Sequence, residues 1–158
     1  MSCDAVAFAA TIWLISTSAV AAPAPNAPSL TQAPVSVAGE PLFADIIRRA
    51  SKLRDETKAY EGRPLDGALS GMPGFASFEA DIGQLSTLDM QGHVTLVARG
   101  VTDDLKCILK GISQDLPVKL KELESAPDAK TRKEALDDMY YLLRDNVEVI
   151  TAPPQPAA

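Results

Sequence analysis

Histidine is almost absent from this 158-residue chain, with His93 its single example, and cysteine is limited to Cys3 and Cys107. A zinc site built on imidazoles, or a nucleophile relayed through histidine, therefore has almost nothing to draw on. Aromatic residues make up only 5%, so a core must be chiefly Leu, Ile, Val and Ala. Basic charge is also short. Lys and Arg number 15 against 21 Asp and Glu, and the net charge of -6 argues against a nucleic-acid partner. No phosphate-cradling glycine loop, GxSxG, HExxH or EF-hand pattern occurs, and there is no Asn-x-Ser/Thr sequon. No cofactor and no metal is expected, and the chain reads as a non-enzyme.

Long apolar runs are scarce too. The longest, residues 5–20, includes Phe8, Ile12, Trp13, Leu14 and Ile15 and is followed by Ala19, Val20 and Ala21, which fit a signal-peptidase site. Asp4 stands where a basic n-region is usual. The alternative is a short membrane anchor, but the run is marginal for spanning a bilayer and no basic stop-transfer residues follow it. A signal peptide over residues 1–21 and secretion are the expectation, with no stable transmembrane anchor. Cleavage there removes Cys3 and Asp4, leaving 15 basic against 20 acidic residues, a net charge of -5. Cys107 is then the sole thiol and no internal disulfide is expected, so the fold relies on its apolar core. Cys107 reads as a small apolar residue at the flank of a helix stripe, or as one half of an intermolecular disulfide.

What the chain does contain is hydrophobic periodicity, with 46% hydrophobic residues overall. Proline is gathered outside most of it. Residues 22–40 are Pro-, Ala- and Ser-rich and form an extended, flexible arm; residues 151–158 form a disordered tail; residues 41–150 are the folded domain. Within that domain a first helix opens at Glu40-Pro41 and buries Leu42, Phe43, Ile46, Ile47, Ala50, Leu53, Thr57 and Tyr60 before Gly62 ends it. Residues 63–74 are a Gly- and Pro-containing loop. A second helix follows with Phe75, Phe78, Ile82, Leu85 and Leu88 inward, weakened by Gly83 and Gly92 and ending near Met90.

The spacing of Val94, Val97, Val101, Leu105, Ile108 and Ile112 then predicts a long central helix to about Gln114. Asp115 before Leu116-Pro117 reads as the cap of a short helix reaching Glu124. A capping pattern at residues 125–128 starts the last helix, with Leu136, Met139, Tyr140, Leu143, Val147 and Ile150 inward. The fold class is all-α, an antiparallel bundle of four to five helices with an extended N-terminal arm. The acidic pairs Asp55/Glu56, Asp103/Asp104 and Asp137/Asp138 lie on adjacent helical positions, about 100 degrees apart, and so read as solvated faces and not as converging acid–base pairs.

The order of features resembles the hydrophobic surface-binding protein A family, small secreted helical proteins of filamentous fungi. Thr57-Lys58-Ala59-Tyr60-Glu61-Gly62 followed by Pro64-Leu65-Asp66-Gly67-Ala68-Leu69 looks like the junction after that family's first helix. Leu105 to Ile112 matches its long helix loosely, and Ile150 to Pro153 its end. The aromatic that often follows the long helix is missing beside Lys119 and Lys121. The resemblance implies a secreted, extracellular or cell-wall protein that adsorbs to hydrophobic surfaces and recruits a secreted lytic enzyme to them.

The residues themselves point to the same class. Such a bundle can open and present its stripes to a hydrophobic surface or lipid-like ligand through Leu42, Phe43, Ile46, Phe75, Phe78, Val97, Val101, Leu105, Ile108 and Ile112. Closed stripes that merely form a core are the bland alternative. Two other functions fit the pattern: a soluble carrier of a small hydrophobic ligand in an internal pocket, and an extracellular effector presenting a helical face to a receptor.

Overall fold

A computed structural model describes residues 36–101 and 104–152. The expected signal peptide over 1–21, most of the expected arm and the end of the expected tail fall outside the described residues. Four helices follow one another: α1 (Pro41–Glu61), α2 (Phe75–Ala98), α3 (Leu105–Ser125) and α4 (Ala129–Thr151), with a 3-10 turn at Leu69–Gly71 between α1 and α2. Each packs on its neighbours in sequence, and α4 closes the ring on α1, which is the arrangement of an antiparallel four-helix bundle.

Each helix buries one stripe because its apolar residues recur at three- and four-residue steps. On α1 these are Phe43, Ile46, Ala50, Leu53, Thr57 and Tyr60, as expected from the sequence. On α2 they are Phe75, Phe78, Ile82, Leu85, Asp89, Gly92 and Leu96. On α4, Leu136, Met139, Leu143 and Ile150 are sealed, while Tyr140 and Val147 are half-buried. Asp128 caps α4, its carboxylate accepting from the Thr131 amide at 2.8 Å.

The long central helix is two helices. Gly100, at φ +67°, ends α2 in a left-handed conformation that residues with a Cβ resist. Its amide donates to Val97 O at 3.0 Å and the Val101 amide to Leu96 O at 3.2 Å, the paired bonds of a Schellman motif. Val94 and Val97 therefore lie on the last turns of α2, where they are 57% and 49% exposed, and Leu96 is the residue that faces the core. The apparent stripe across residues 94–112 joined two helices that point in opposite directions. On α3 the sealed positions are Leu105, Leu109, Ile112, Leu116 and Leu123.

The short fourth helix expected after Asp115 is in fact the second half of α3, which runs through Pro117 unbroken. Proline has no N–H to return to the carbonyl four residues back, here Ser113. That carbonyl is taken up instead by the Ser86 hydroxyl of α2, which donates to Ser113 O at 2.7 Å. The backbone group the proline abandons is thus satisfied from the neighbouring helix.

Gly92, expected to weaken its helix, is where three helices meet. A Cβ there would lie 3.1 Å from Leu109 Cδ1 and 3.4 Å from both Ile46 Cδ1 and Phe43 Cε1, so the missing side chain lets α1 and α3 approach α2. The arm is not wholly free of the bundle either. Val37 is buried in the core and the Glu40 carboxylate binds the Arg99 guanidinium through two hydrogen bonds. At the other end, Arg132 donates to the carbonyls of Ala126 (2.6 Å) and Leu65, fixing the α1–α2 loop against α4.

Candidate functional surface

The ten residues expected to line a binding surface lie for the most part inside the closed bundle. Phe43, Ile46, Phe75, Phe78, Leu105 and Ile112 are buried core residues, Leu42, Val101 and Ile108 are half-buried against them, and only Val97 is exposed. They also divide between the two ends of the bundle. Phe75 and Phe78 stack on each other at 5.9 Å and meet Tyr60 edge-on at 5.8 and 5.5 Å. Phe43 and Ile46 gather around Gly92, which is 14 helical positions beyond Phe78, or about 21 Å along the axis.

The outer surface is charged and paired. Of the acidic doublets, Asp55 bonds Arg54, Glu56 pairs with Lys52, Asp137 with Lys133 and Asp138 with Lys119. Asp103 lies outside the described residues. Of the large apolar side chains that are exposed, Val94 and Val97 lie one turn apart on α2, Val118 on α3 and Tyr141 on α4. Tyr141 carries the Arg144 guanidinium over its ring at 4.9 Å. A few exposed apolar residues of this kind are ordinary on a protein surface.

Two surface hollows lie among the described residues. The larger, about 320 Å³, lies at the α3–α4 turn between Glu122, Ser125, Pro127, Thr131, Glu134 and Asp138; the smaller, about 130 Å³, lies beside Arg49, Lys52 and Asp81. The smaller is lined mainly by polar groups, and the larger combines apolar surface from Ala126, Pro127 and Ala135 with the carboxylates of Glu122, Glu134 and Asp138. Among the described residues no group of three or more His, Cys, Asp or Glu could hold a metal ion. No described helix is long and apolar enough to cross a membrane.

Cys107, read from the sequence as the sole thiol, is half-buried on α3 and is disulfide-bonded in the full-length chain, its partner lying outside the described residues.

Sequence reasoning missed the polar groups inside the bundle. Asp89 on α2 and Asn146 on α4 are both fully buried, and the Asn146 amide donates to Asp89 Oδ2 at 2.7 Å. Burial pushes the Asp89 carboxyl up to about 8, against a smaller lowering by the Asn146 hydrogen bond. His93 Nδ1 donates to Lys106 O at 2.6 Å, and the buried Lys106 ammonium donates to Val101 O, also at 2.6 Å, which bind the α2–α3 turn together. A signal was available: Asp89 continues the run Phe78, Ile82, Leu85 with Gly92 and Leu96 beyond it, and Asn146 falls between Leu143 and Ile150 on the stripe of α4. In comparison with known proteins, the chain matches no family model, no curated protein sequence and no solved structure.

Proposed function

We propose that this is a secreted, non-enzymatic binding protein that adsorbs to hydrophobic surfaces or lipids by opening its bundle. One observation carries the reading. The helices associate unequally: α2 packs most extensively on α3 and α1 on α4, whereas the contacts of α1 with α2 and of α3 with α4 are thinner. The bundle is in effect two helix pairs meeting along a seam. The outer edges of that seam are bridged by exposed polar contacts, Glu40 with Arg99, Arg49 with Gln84, Lys52 with Asp81 and Lys119 with Asp138.

Exposed ion pairs of this kind contribute little to stability. What holds the pairs together is burial of their apolar faces, and an apolar phase offers those faces an equivalent environment at about 25 cal/mol per Å². Opening along the seam keeps every helix intact and each inner face continuous, so adsorption replaces internal packing without unfolding the backbone. The resemblance to the hydrophobic surface-binding protein A family and the apolar run at the N-terminus point the same way. A role in bringing a secreted lytic enzyme to such a surface is the natural extension of that family likeness.

The test is depletion of the protein from solution by hydrophobic beads or an oil emulsion. Adsorption that added salt does not weaken, with faster amide exchange at core positions such as Leu85 and Leu143 in the bound protein, is the expected outcome. Protein that stays in solution at every salt concentration removes the reading.

A further inference from the structure

The interior of an otherwise apolar seam holds one polar contact between the two helix pairs, Asp89 of α2 with Asn146 of α4. Both side chains are 0% exposed. Their geometry leaves Oδ1 of Asp89 and Oδ1 of Asn146 without a hydrogen-bond partner. With an ionised carboxylate these are two buried acceptors, and only one hydrogen bond joins the pair. A proton on Asp89 creates the hydroxyl donor that the Asn146 oxygen needs, so a neutral acid and an amide satisfy each other where a carboxylate and an amide cannot.

We propose that Asp89 and Asn146 are a proton-dependent clasp between the two halves of the bundle, closed with Asp89 as the neutral acid and loosened when it ionises. The other titratable groups on the inner faces are engaged elsewhere. On α1, Tyr60 packs with Phe75 and Phe78, which lie at the opposite end of α2 from Gly92. On α2, His93 bonds Lys106 O; on α3, the Lys106 ammonium bonds Val101 O; on α4, Arg132 bonds Leu65 O and Ala126 O. Burial and Asn146 are the two influences that set the Asp89 carboxyl, and burial dominates. Among the described residues no charged group acts on Asp89, so a carboxylate formed at this place has no cation to stabilise it.

The direction follows from linkage. Asp89 titrates at about 8 in the fold, against the ordinary 3.8 that applies when the chain is unfolded. Between those values the folded state holds a proton that the unfolded state has released. The stabilisation is complete below the unfolded value and is lost as pH rises through the folded one. The folding equilibrium constant thus falls by about tenfold per pH unit between roughly pH 4 and pH 8. The clasp stands without the adsorption reading; only its consequence, easier opening onto an apolar surface in mild alkali, rests on that reading.

The experiment is urea denaturation of the full-length protein across pH 5 to 9, for wild type and for Asp89→Asn, which keeps the shape and cannot ionise. The wild-type midpoint should fall from pH 5 to about pH 8 and level off above it, and the Asp89→Asn midpoint should stay level throughout. Parallel decline of the two overturns the clasp. If Asp89→Asn does not fold, infrared spectroscopy of the wild type decides. A protonated-carboxyl C=O stretch present at pH 6 and absent in alkali supports the clasp, and its absence at pH 6 overturns it. Adsorption to hydrophobic beads measured alongside separates the two ideas. A level Asp89→Asn midpoint with no adsorption at any pH leaves the clasp intact and removes the surface function. Adsorption that speeds up with pH in the wild type alone supports both.

Discussion

Replacing Ser86 by alanine removes the hydroxyl that satisfies the carbonyl orphaned by Pro117, and the size of the effect depends on whether that proline is present. In the wild type, Ser86 Oγ lies 2.7 Å from Ser113 O and both side chains are at least half-buried. A buried carbonyl left without a donor costs about 1–3 kcal/mol. Ser86→Ala is therefore expected to destabilise by roughly 1.5 kcal/mol, because the site is not fully sealed and water recovers part of the loss. Pro117→Ala supplies a backbone N–H within reach of the same oxygen and restores the regular ladder. It should stabilise by about 1–2 kcal/mol, the helix preference for alanine being offset in part by the freer unfolded chain.

In the Pro117→Ala background the helix satisfies its own carbonyl, and Ser86→Ala should cost only about 0.5 kcal/mol. The double-mutant cycle thus carries a coupling of about 1 kcal/mol, larger than the few tenths expected of independent sites. Urea denaturation followed by far-UV circular dichroism measures all four corners, and thermal scans should separate them by about 4 °C per kcal/mol. Equal losses from Ser86→Ala in both backgrounds would show that the hydroxyl does not stand in for the missing N–H, and the explanation for the unbroken helix would go with it.

The two glycines inside α2 should respond with opposite signs to alanine. Gly83 has nothing within 4 Å of its absent Cβ, so Gly83→Ala is expected to stabilise by about 0.5–1 kcal/mol in urea denaturation. Gly92→Ala gains the same helix preference but drives a methyl to 3.1 Å from Leu109 Cδ1, and overpacking of about 1–3 kcal/mol leaves it net destabilised. Asp128→Ala removes the cap of α4 and should lower Tm by a few degrees. The Thr131 amide holds the Asp128 carboxyl below its ordinary value of 3.8, so this contribution is present above that value and is lost as pH falls through the lower folded one. The Tm difference between wild type and Asp128→Ala should therefore narrow in strong acid; a gap that persists there would show that the cap acts through something other than its charge.

The helical class, the stripes of α1 and α4 and the opening of α1 at Pro41 were legible because each is written within a turn or two of chain; the capping pattern at residues 125–128 was legible too, but its cap is Asp128, while Ser125 ends α3. The stripe of α1 could be read almost residue by residue, since nothing in it competes with the 3.6-residue period. The same local reading failed at residues 94–112. Two valines on α2 and four apolar residues of the next segment fell by chance into one period, and Gly100, which carries the actual stop signal, was passed over. Apolar spacing was given more weight there than the need for a left-handed residue at a helix end.

The deeper misses share a different cause. Pro117 and Gly92 look like helix breakers when only their own helix is considered, because what compensates them comes from elsewhere: a hydroxyl on α2 for the proline, and the close approach of Phe43, Ile46 and Leu109 for the glycine. Asp89 and Asn146 look like surface residues for the same reason. Each is a polar interruption of an apolar stripe, 57 positions apart in the chain, and only their meeting inside the bundle makes either tolerable. The candidate surface failed as a list of residues on that account. The same strong apolar positions that a periodicity count selects are those a closed bundle buries first, so they cannot also form a standing patch. On the proposed reading, function lies in how the helix pairs separate, and the polar groups on their mating faces, more than the apolar residues around them, determine when that separation is favourable.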